Sequence, residues 1–387
     1  MELLNKAEKI VNACDRCGTC LTVCPLFEAD GIERTAARGK NAIVRALGSA
    51  ILEPGEEALK ALDYCLLCRA CVDACPGKVQ TDEAVIYARQ FLTDKMGGAK
   101  GKYRLIGRFL GSRNSIKGMG HVLSLLRRLK INRLLPLGLL PDEYLTAVAG
   151  PIILGSHTNK TSHESFRVEK VAYFEGCGMR LFFPSVAEKT KSLLHATVRR
   201  LSIPDNFCCG LPHLAHGLME DFIRLSEKNV ALFSDFDVIV TDCASCGSTL
   251  KHLARFIPTK EAASFSQRVM DLSEFLVKMG YTPRRQEDLS FTYHDPCHLI
   301  RGQGIKWEPR KLLSQAGDLR EMSGADVCCG GAGSFHLDYP LAAKHILARK
   351  KVSIEATGAK MVITGCPGCM IQLSKLSIPV CHLSQVI

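Results

Sequence analysis

The chain has 387 residues, 47% of them apolar, with 50 Lys and Arg against 39 Asp and Glu and a formal net charge of +11. That length and apolar fraction exclude a disordered chain and suit two or three domains. No run of eighteen apolar residues is present, and MELLNKAEKIVNACDRCG at the start has neither an apolar core nor a small-residue cleavage site, so neither a membrane span nor a secretory signal is expected. The chain's 19 cysteines, all but one of them in ligand-like patterns, therefore read as a metal-binding set in a reducing, cytoplasmic compartment and not as a disulfide framework.

Residues 1–98 hold eight cysteines in two runs of the form C-x2-C-x2-C-x3-C-P. The first is Cys14, Cys17, Cys20, Cys24 and Pro25; the second is Cys65, Cys68, Cys71, Cys75 and Pro76. A cubane cluster needs four thiolates at tetrahedral corners. In this ferredoxin-type run, three closely spaced cysteines wrap one cluster and the fourth reaches the other. Cys14, Cys17, Cys20 and Cys75 are thus expected to hold one [4Fe–4S] cluster, and Cys65, Cys68, Cys71 and Cys24 a second. Zinc sites use separated CxxC pairs and need neither eight ligands nor the prolines. The long connection between the runs predicts helices over 38–47 and 56–62, hence an α-helical ferredoxin-type domain.

Residues 99–165 hold no cysteine. From Lys95 to Pro141 there are eleven basic residues and no acidic one, which equals the charge excess of the whole chain. Leu105, Ile106, Phe109, Leu110, Val122, Leu125, Leu126 and Leu129 interleave with them at roughly helical spacing. Such a basic amphipathic linker suits peripheral contact with an anionic membrane surface, an acidic protein partner, or a solvated cover over the first domain. No nucleic-acid-binding motif accompanies it.

Residues 166–387 are an internal repeat. Cys177, Cys208, Cys209, Cys243 and Cys246 recur as Cys297, Cys328, Cys329, Cys366 and Cys369. VAYFEGC parallels FTYHDPC, NFCCG parallels DVCCG, and VIVTDCASC parallels MVITGCPGC. Short apolar runs at 171–174, 238–240, 291–293 and 361–363 predict buried strands, with helices after Pro184 and near Pro340. The repeats are two α/β domains, 166–280 and 281–387, with ligands placed at strand ends. The fold class is α+β multidomain. Adjacent cysteines do not readily close a disulfide on each other; they can present two thiolates to one multi-iron centre. Five thiolates per copy exceed the need of a cubane and fit a larger or substrate-accessible cluster. His294 and His298 bracket Cys297 and can donate to cluster sulfur, ligate iron, or serve structure alone. Cys381 stands outside both patterns and reads as a buried, inert cysteine.

On these motifs the chain resembles the iron–sulfur subunits of glycolate and D-lactate oxidases. In those, two ferredoxin motifs precede two cysteine-rich CCG domains; HDPCHLIRGQG, CCGGAG and TGCPGC carry the resemblance. The full set of ten repeat cysteines also resembles the catalytic subunit of heterodisulfide reductases. The first resemblance implies an electron carrier between an FAD-containing 2-hydroxyacid dehydrogenase and a quinone or other carrier; the basic linker is what allows peripheral contact with the inner face of the cytoplasmic membrane. The second implies up to two further, noncubane [4Fe–4S] clusters in the CCG domains, and disulfide reduction there as the rival activity. No strand–GxGxxG–helix unit or phosphate loop is visible, so flavin is expected on a partner.

Overall fold

In the computed structural model, residues 1–128 and 168–387 are described, and they divide into two units. The first comprises Met1–Arg108, Gly210–Phe222 and Val327–Arg349; the second comprises Phe109–Cys209, Ile223–Asp326 and Lys350–Ile387. The chain thus changes unit immediately after Cys209 and again between Asp326 and Val327, one residue ahead of Cys328.

The first unit is helical. Helices Glu2–Val11, Ala37–Gly48 and Glu56–Asp63 pack against Thr81–Lys95. That last helix is buried on all sides from Ala84 through Thr93, as a central helix must be. Asp82 and Glu83 in its first turn and Lys95 in its last complement the helix dipole. Its two internal polar residues are used: Arg89 donates to the carbonyls of Leu62, Cys65 and Ala215, and Gln90 accepts the Met219 N–H at 2.8 Å. The segments that follow the two CC pairs are joined to this bundle. Tyr64 packs on Phe335 and Tyr339, with ring centroids 5.7 and 4.8 Å away.

The second unit holds two four-stranded parallel sheets. Strands β1 (Val171–Tyr173), β2 (Leu201–Ser202), β3 (Val238–Thr241) and β4 (Val269–Asp271) run in the order β2-β1-β3-β4. β5 (Ser290–Tyr293), β6 (Asp318–Leu319), β7 (Met361–Thr364) and β8 (Val380–His382) repeat it as β6-β5-β7-β8. β1, β3, β5 and β7 are buried along their whole length, which is why they read as unbroken apolar runs. One core serves both sheets, with Tyr173, Val240, Phe275, Tyr293, Ile363 and Cys381 among its members. The expected mixture of an N-terminal helical region and parallel-sheet repeats is present.

Part of the basic segment is also accounted for. Helix Arg113–Arg128 packs on Cys177–Phe182 through Ile116, Met119 and Leu181. Arg113 donates to the Asp205 carbonyl at 2.6 Å, and Lys117 pairs with the Asp205 carboxylate at 2.8 Å. In the first unit Lys102 pairs with Asp338 at 2.5 Å. The rest of the segment, residues 129–165 together with the side chains of 123–128, lies outside the described residues. Among those described, no helix is long and apolar enough to cross a membrane.

Candidate metal centres

The two cysteine runs of the first unit adopt one loop conformation twice. Arg16 and Leu67, each before the second cysteine, have φ of 58° and 51°; Gly18 and Arg69, each after it, have φ of 86° and 62°. Left-handed backbone at Arg16, Leu67 and Arg69 is unfavourable for residues bearing a Cβ and persists where the surroundings impose it. Arginines hold these loops by their carbonyls. Arg45 donates to Cys14 O at 2.8 Å, Arg38 to Arg16 O at 3.4 Å and Arg89 to Cys65 O at 3.2 Å.

Cys24, Cys65, Cys68 and Cys71 line a single cavity, together with Thr35, Lys40, Arg69 and Asp82. These are three cysteines of the second run and the fourth of the first. Burial, followed by the neighbouring Cys68 and Cys65, pushes the Cys71 thiol well above its ordinary range. A buried thiol of this kind stays protonated unless a cation draws it into the thiolate form that ligates metal. The other set is more open. Cys17 is exposed, and a Cβ on Gly77 would lie 3.4 Å from Ala13 O, so the chain after Cys75 runs beside Cys14. The donor types and their convergence fit [4Fe–4S] ligation.

In the second unit every cysteine motif follows the C-terminal end of a strand. Cys177 follows β1, the Cys208–Cys209 pair follows β2, and Cys243 and Cys246 follow β3. This is the end of an open parallel sheet where ligands collect, at the point where strand order reverses between β1 and β3. Cys177 Sγ and Cys208 Sγ are 3.6 Å apart. Cys246 is hydrogen-bonded to Cys209, and its N–H points to Cys243 Sγ at 3.5 Å. The bond to Cys208, then burial, raises the Cys177 thiol; the bonds to Cys209 and Cys243 raise Cys246. The loops carrying these groups are held alike in both repeats. Arg180 donates to Asn206 O at 3.2 Å, and Arg301 to the equivalent Asp326 O at 2.7 Å.

The second repeat places Cys297 after β5 and Cys366 and Cys369 after β7; Cys328 and Cys329 belong to the first unit. Cys243 and Cys366, equivalent positions of the two repeats, are hydrogen-bonded to each other. Ala244 N–H donates to Gly365 O at 3.0 Å. The CxxC loops thus meet face to face, an arrangement that spacing along the chain does not express. Ser245, which the sequence did not single out, lies 3.4 Å from Cys366 Sγ and 3.3 Å from His298 Nδ1.

His294 is fully buried and both ring nitrogens lack a hydrogen-bond partner. A ring nitrogen lies within 4.8 Å of Cys369 Sγ. Burial pulls its pKa down to about 3, leaving a neutral imidazole, the form that ligates metal or donates one N–H. The equivalent residue of the first repeat is Phe174. His298 Nδ1 lies 4.0 Å from Cys297 Sγ. His213 and His216 are engaged elsewhere, with Gly107 O at 2.8 Å and Ser334 Oγ at 2.8 Å.

Eighteen cysteines in these arrangements define an iron–sulfur protein. The family model "4Fe-4S dicluster domain" matches residues 10–79, and "Cysteine-rich domain" (CCG) matches 171–251 and 291–374. The chain is 29% identical to the probable glycolate oxidase iron–sulfur subunit of Bacillus subtilis, over 94% of this chain and 88% of that one. It is 30% identical to an iron–sulfur protein of Methanococcus maripaludis (94% and 67% covered) and 26% identical to a subunit of the CoM/CoB fumarate reductase of Methanothermobacter marburgensis (94% and 68%). The chain belongs to the family of iron–sulfur subunits of oxidoreductases that includes the glycolate oxidase iron–sulfur subunits.

Proposed function

We propose that this chain carries electrons from an FAD-containing 2-hydroxyacid dehydrogenase partner, acting on glycolate or D-lactate, to a quinone or another carrier. The observation that carries the reading is the cavity shared by Cys24, Cys65, Cys68 and Cys71, the crossed ligand set of a two-cluster ferredoxin. In this reading Cys14, Cys17, Cys20 and Cys75 hold the companion cluster. Cys177, Cys208, Cys209, Cys243 and Cys246 hold a third, and Cys297, Cys328, Cys329, Cys366 and Cys369, with His294 or His298 beside them, a fourth. When bound, these clusters store and release single electrons. The chain's own part is to hold thiolates at fixed positions, exclude water from the buried sets and keep successive sites on one scaffold. The glycolate oxidase relative supports the choice of partner.

The test is partner dependence. Addition of a 2-hydroxyacid to the isolated, anaerobically prepared chain leaves its visible absorbance unchanged; with the flavoprotein present the same addition bleaches it. Bleaching without any flavoprotein refutes the assignment. The ten intact repeat cysteines favour one rival, reduction of a disulfide substrate at the CCG centres. That rival requires turnover of a disulfide by the chemically reduced chain alone, and loss of that turnover in Cys209→Ala or Cys329→Ala.

A further inference from the structure

Helix Ala37–Gly48 buries Ala37, Asn41, Val44 and Leu47, and in the same stripe it buries a lysine. Lys40 is 1% exposed. Its Nζ donates to the carbonyls of Thr35 and Arg34; both acceptors are neutral, and no carboxylate is paired with it among the described residues. A buried ammonium without a counter-charge is strongly unfavourable. Burial pulls its pKa down and the like charge of Arg89 adds to that, while the sulfurs of Cys65, Cys24 and Cys71, which face it, favour the charged form. Lys40 also lines the cavity of Cys24, Cys65, Cys68 and Cys71.

Among the described residues, the Cys14, Cys17, Cys20 and Cys75 set has no buried, unpaired cation of this kind beside it. Arg38 is neutralised by Glu33 through two bonds, 2.6 and 2.8 Å long. Arg45 opens onto a groove it shares with Glu8, and Cys17 is exposed, so solvent screens the charges there. Around the inner set, the Arg69 charge is paired with Asp82 at 3.0 Å and that of Arg89 with Asp63 at 3.4 Å. Among the described residues that line or border this set, Lys40 is the positive charge without a carboxylate.

We infer that Lys40 is the built-in counter-charge of the cluster held by Cys24, Cys65, Cys68 and Cys71, and that it makes this cluster the first of the two in the helical unit to accept an electron. The inference rests on the cluster placement proposed above. A fixed positive charge in a poorly screened interior stabilises the form carrying one more negative charge. It also sets a direction. Cys65 is tied through Arg89 to Ala215, and its neighbour Tyr64 packs on Phe335 and Tyr339. The electron is therefore drawn toward the side of the segments that follow the two CC pairs.

The test is a redox titration of the anaerobic full-length protein, followed by electron paramagnetic resonance with iron content measured on each sample. Lys40→Gln keeps a donor for the Thr35 carbonyl and removes the charge. It is expected to make reduction of this cluster about tenfold less favourable, a shift of 59 mV to more negative potential for a one-electron couple; the companion cluster should not move. Lys40→Arg should leave both in place. In the unsubstituted protein the signal that appears first should be the one lost in Cys68→Ser and kept in Cys17→Ser. An unchanged potential in Lys40→Gln at full iron content overturns the inference. So does a first signal lost in Cys17→Ser, which decides the matter even if Lys40→Gln fails to hold the cluster. Absence of both clusters from iron-replete wild-type protein would instead refute the placement, and is read separately from the iron content.

Discussion

Cys381 separates a ligand from a packing cysteine. It lies in β8 opposite Ile363, fully buried in the core shared by the two sheets, and burial pushes its thiol up to about 11. Cys381→Ala should keep the full iron content and cost about 1 kcal/mol in unfolding free energy, whereas Cys68→Ser should lose iron. Equal iron loss in both, measured by metal analysis, would put Cys381 among the ligands. Asp271 gives a pH signature far from any cysteine. It caps helix Leu272–Lys278 and accepts the Ser273 N–H at 2.8 Å, yet burial outweighs these bonds and raises its pKa to about 6. A carboxyl raised in the fold contributes its full stability below the unfolded value, near 4, and loses it as pH rises through about 6. Asp271→Asn should therefore gain stability relative to wild type between pH 4 and 7, by up to about 3 kcal/mol. A flat difference in denaturant midpoints across that range would contradict this.

Among the elements, the turn after each CC pair is conformationally constrained. Gly210 and Gly330, equivalent in the two repeats, have φ of 86° and 85°. A Cβ at Gly210 would lie 2.6 Å from the Phe222 ring. Gly210→Ala should then cost about 2–4 kcal/mol from strain and overpacking together, seen as a lower melting temperature. The helix Arg113–Arg128 makes a different point. Its sequence reads as part of a basic amphipathic linker, and in the structure Ile116 is buried against Leu181 and two of its cations engage Asp205. Ile116→Asp should expose the segment to limited proteolysis. Unaltered cleavage there would mean that this apolar contact does not hold the helix.

For the molecule as a whole, the iron count tests whether the repeats carry clusters. Four clusters require about sixteen irons per chain, and the helical unit alone about eight; anaerobic protein should exceed the lower value and carry no stoichiometric zinc. The charge excess of the basic segment makes a second whole-molecule prediction. If the part not engaged by Asp205 and Asp338 meets an anionic bilayer, liposome association should fall sharply with salt, each Lys or Arg contributing about 1 kcal/mol at most. Equal association with neutral and anionic liposomes would remove the membrane contact.

Spacing along the chain was sufficient for the cysteine patterns, the duplication and the buried strands, because covalent spacing limits which thiolates can share a centre and period limits which residues can face a core. It predicted helices at 38–47 and 56–62, close to the observed Ala37–Gly48 and Glu56–Asp63. Lys40 was not singled out in the sequence, because the sulfurs it faces come from Cys24, Cys65 and Cys71, brought to it only by the fold. The meeting of Cys243 with Cys366, the position of Ser245 between Cys366 and His298, and the return of both post-CC segments to the helical bundle belong to tertiary structure alone. They arise where independent strands and loops converge, and local sequence carries no record of a partner fifty to well over a hundred residues away.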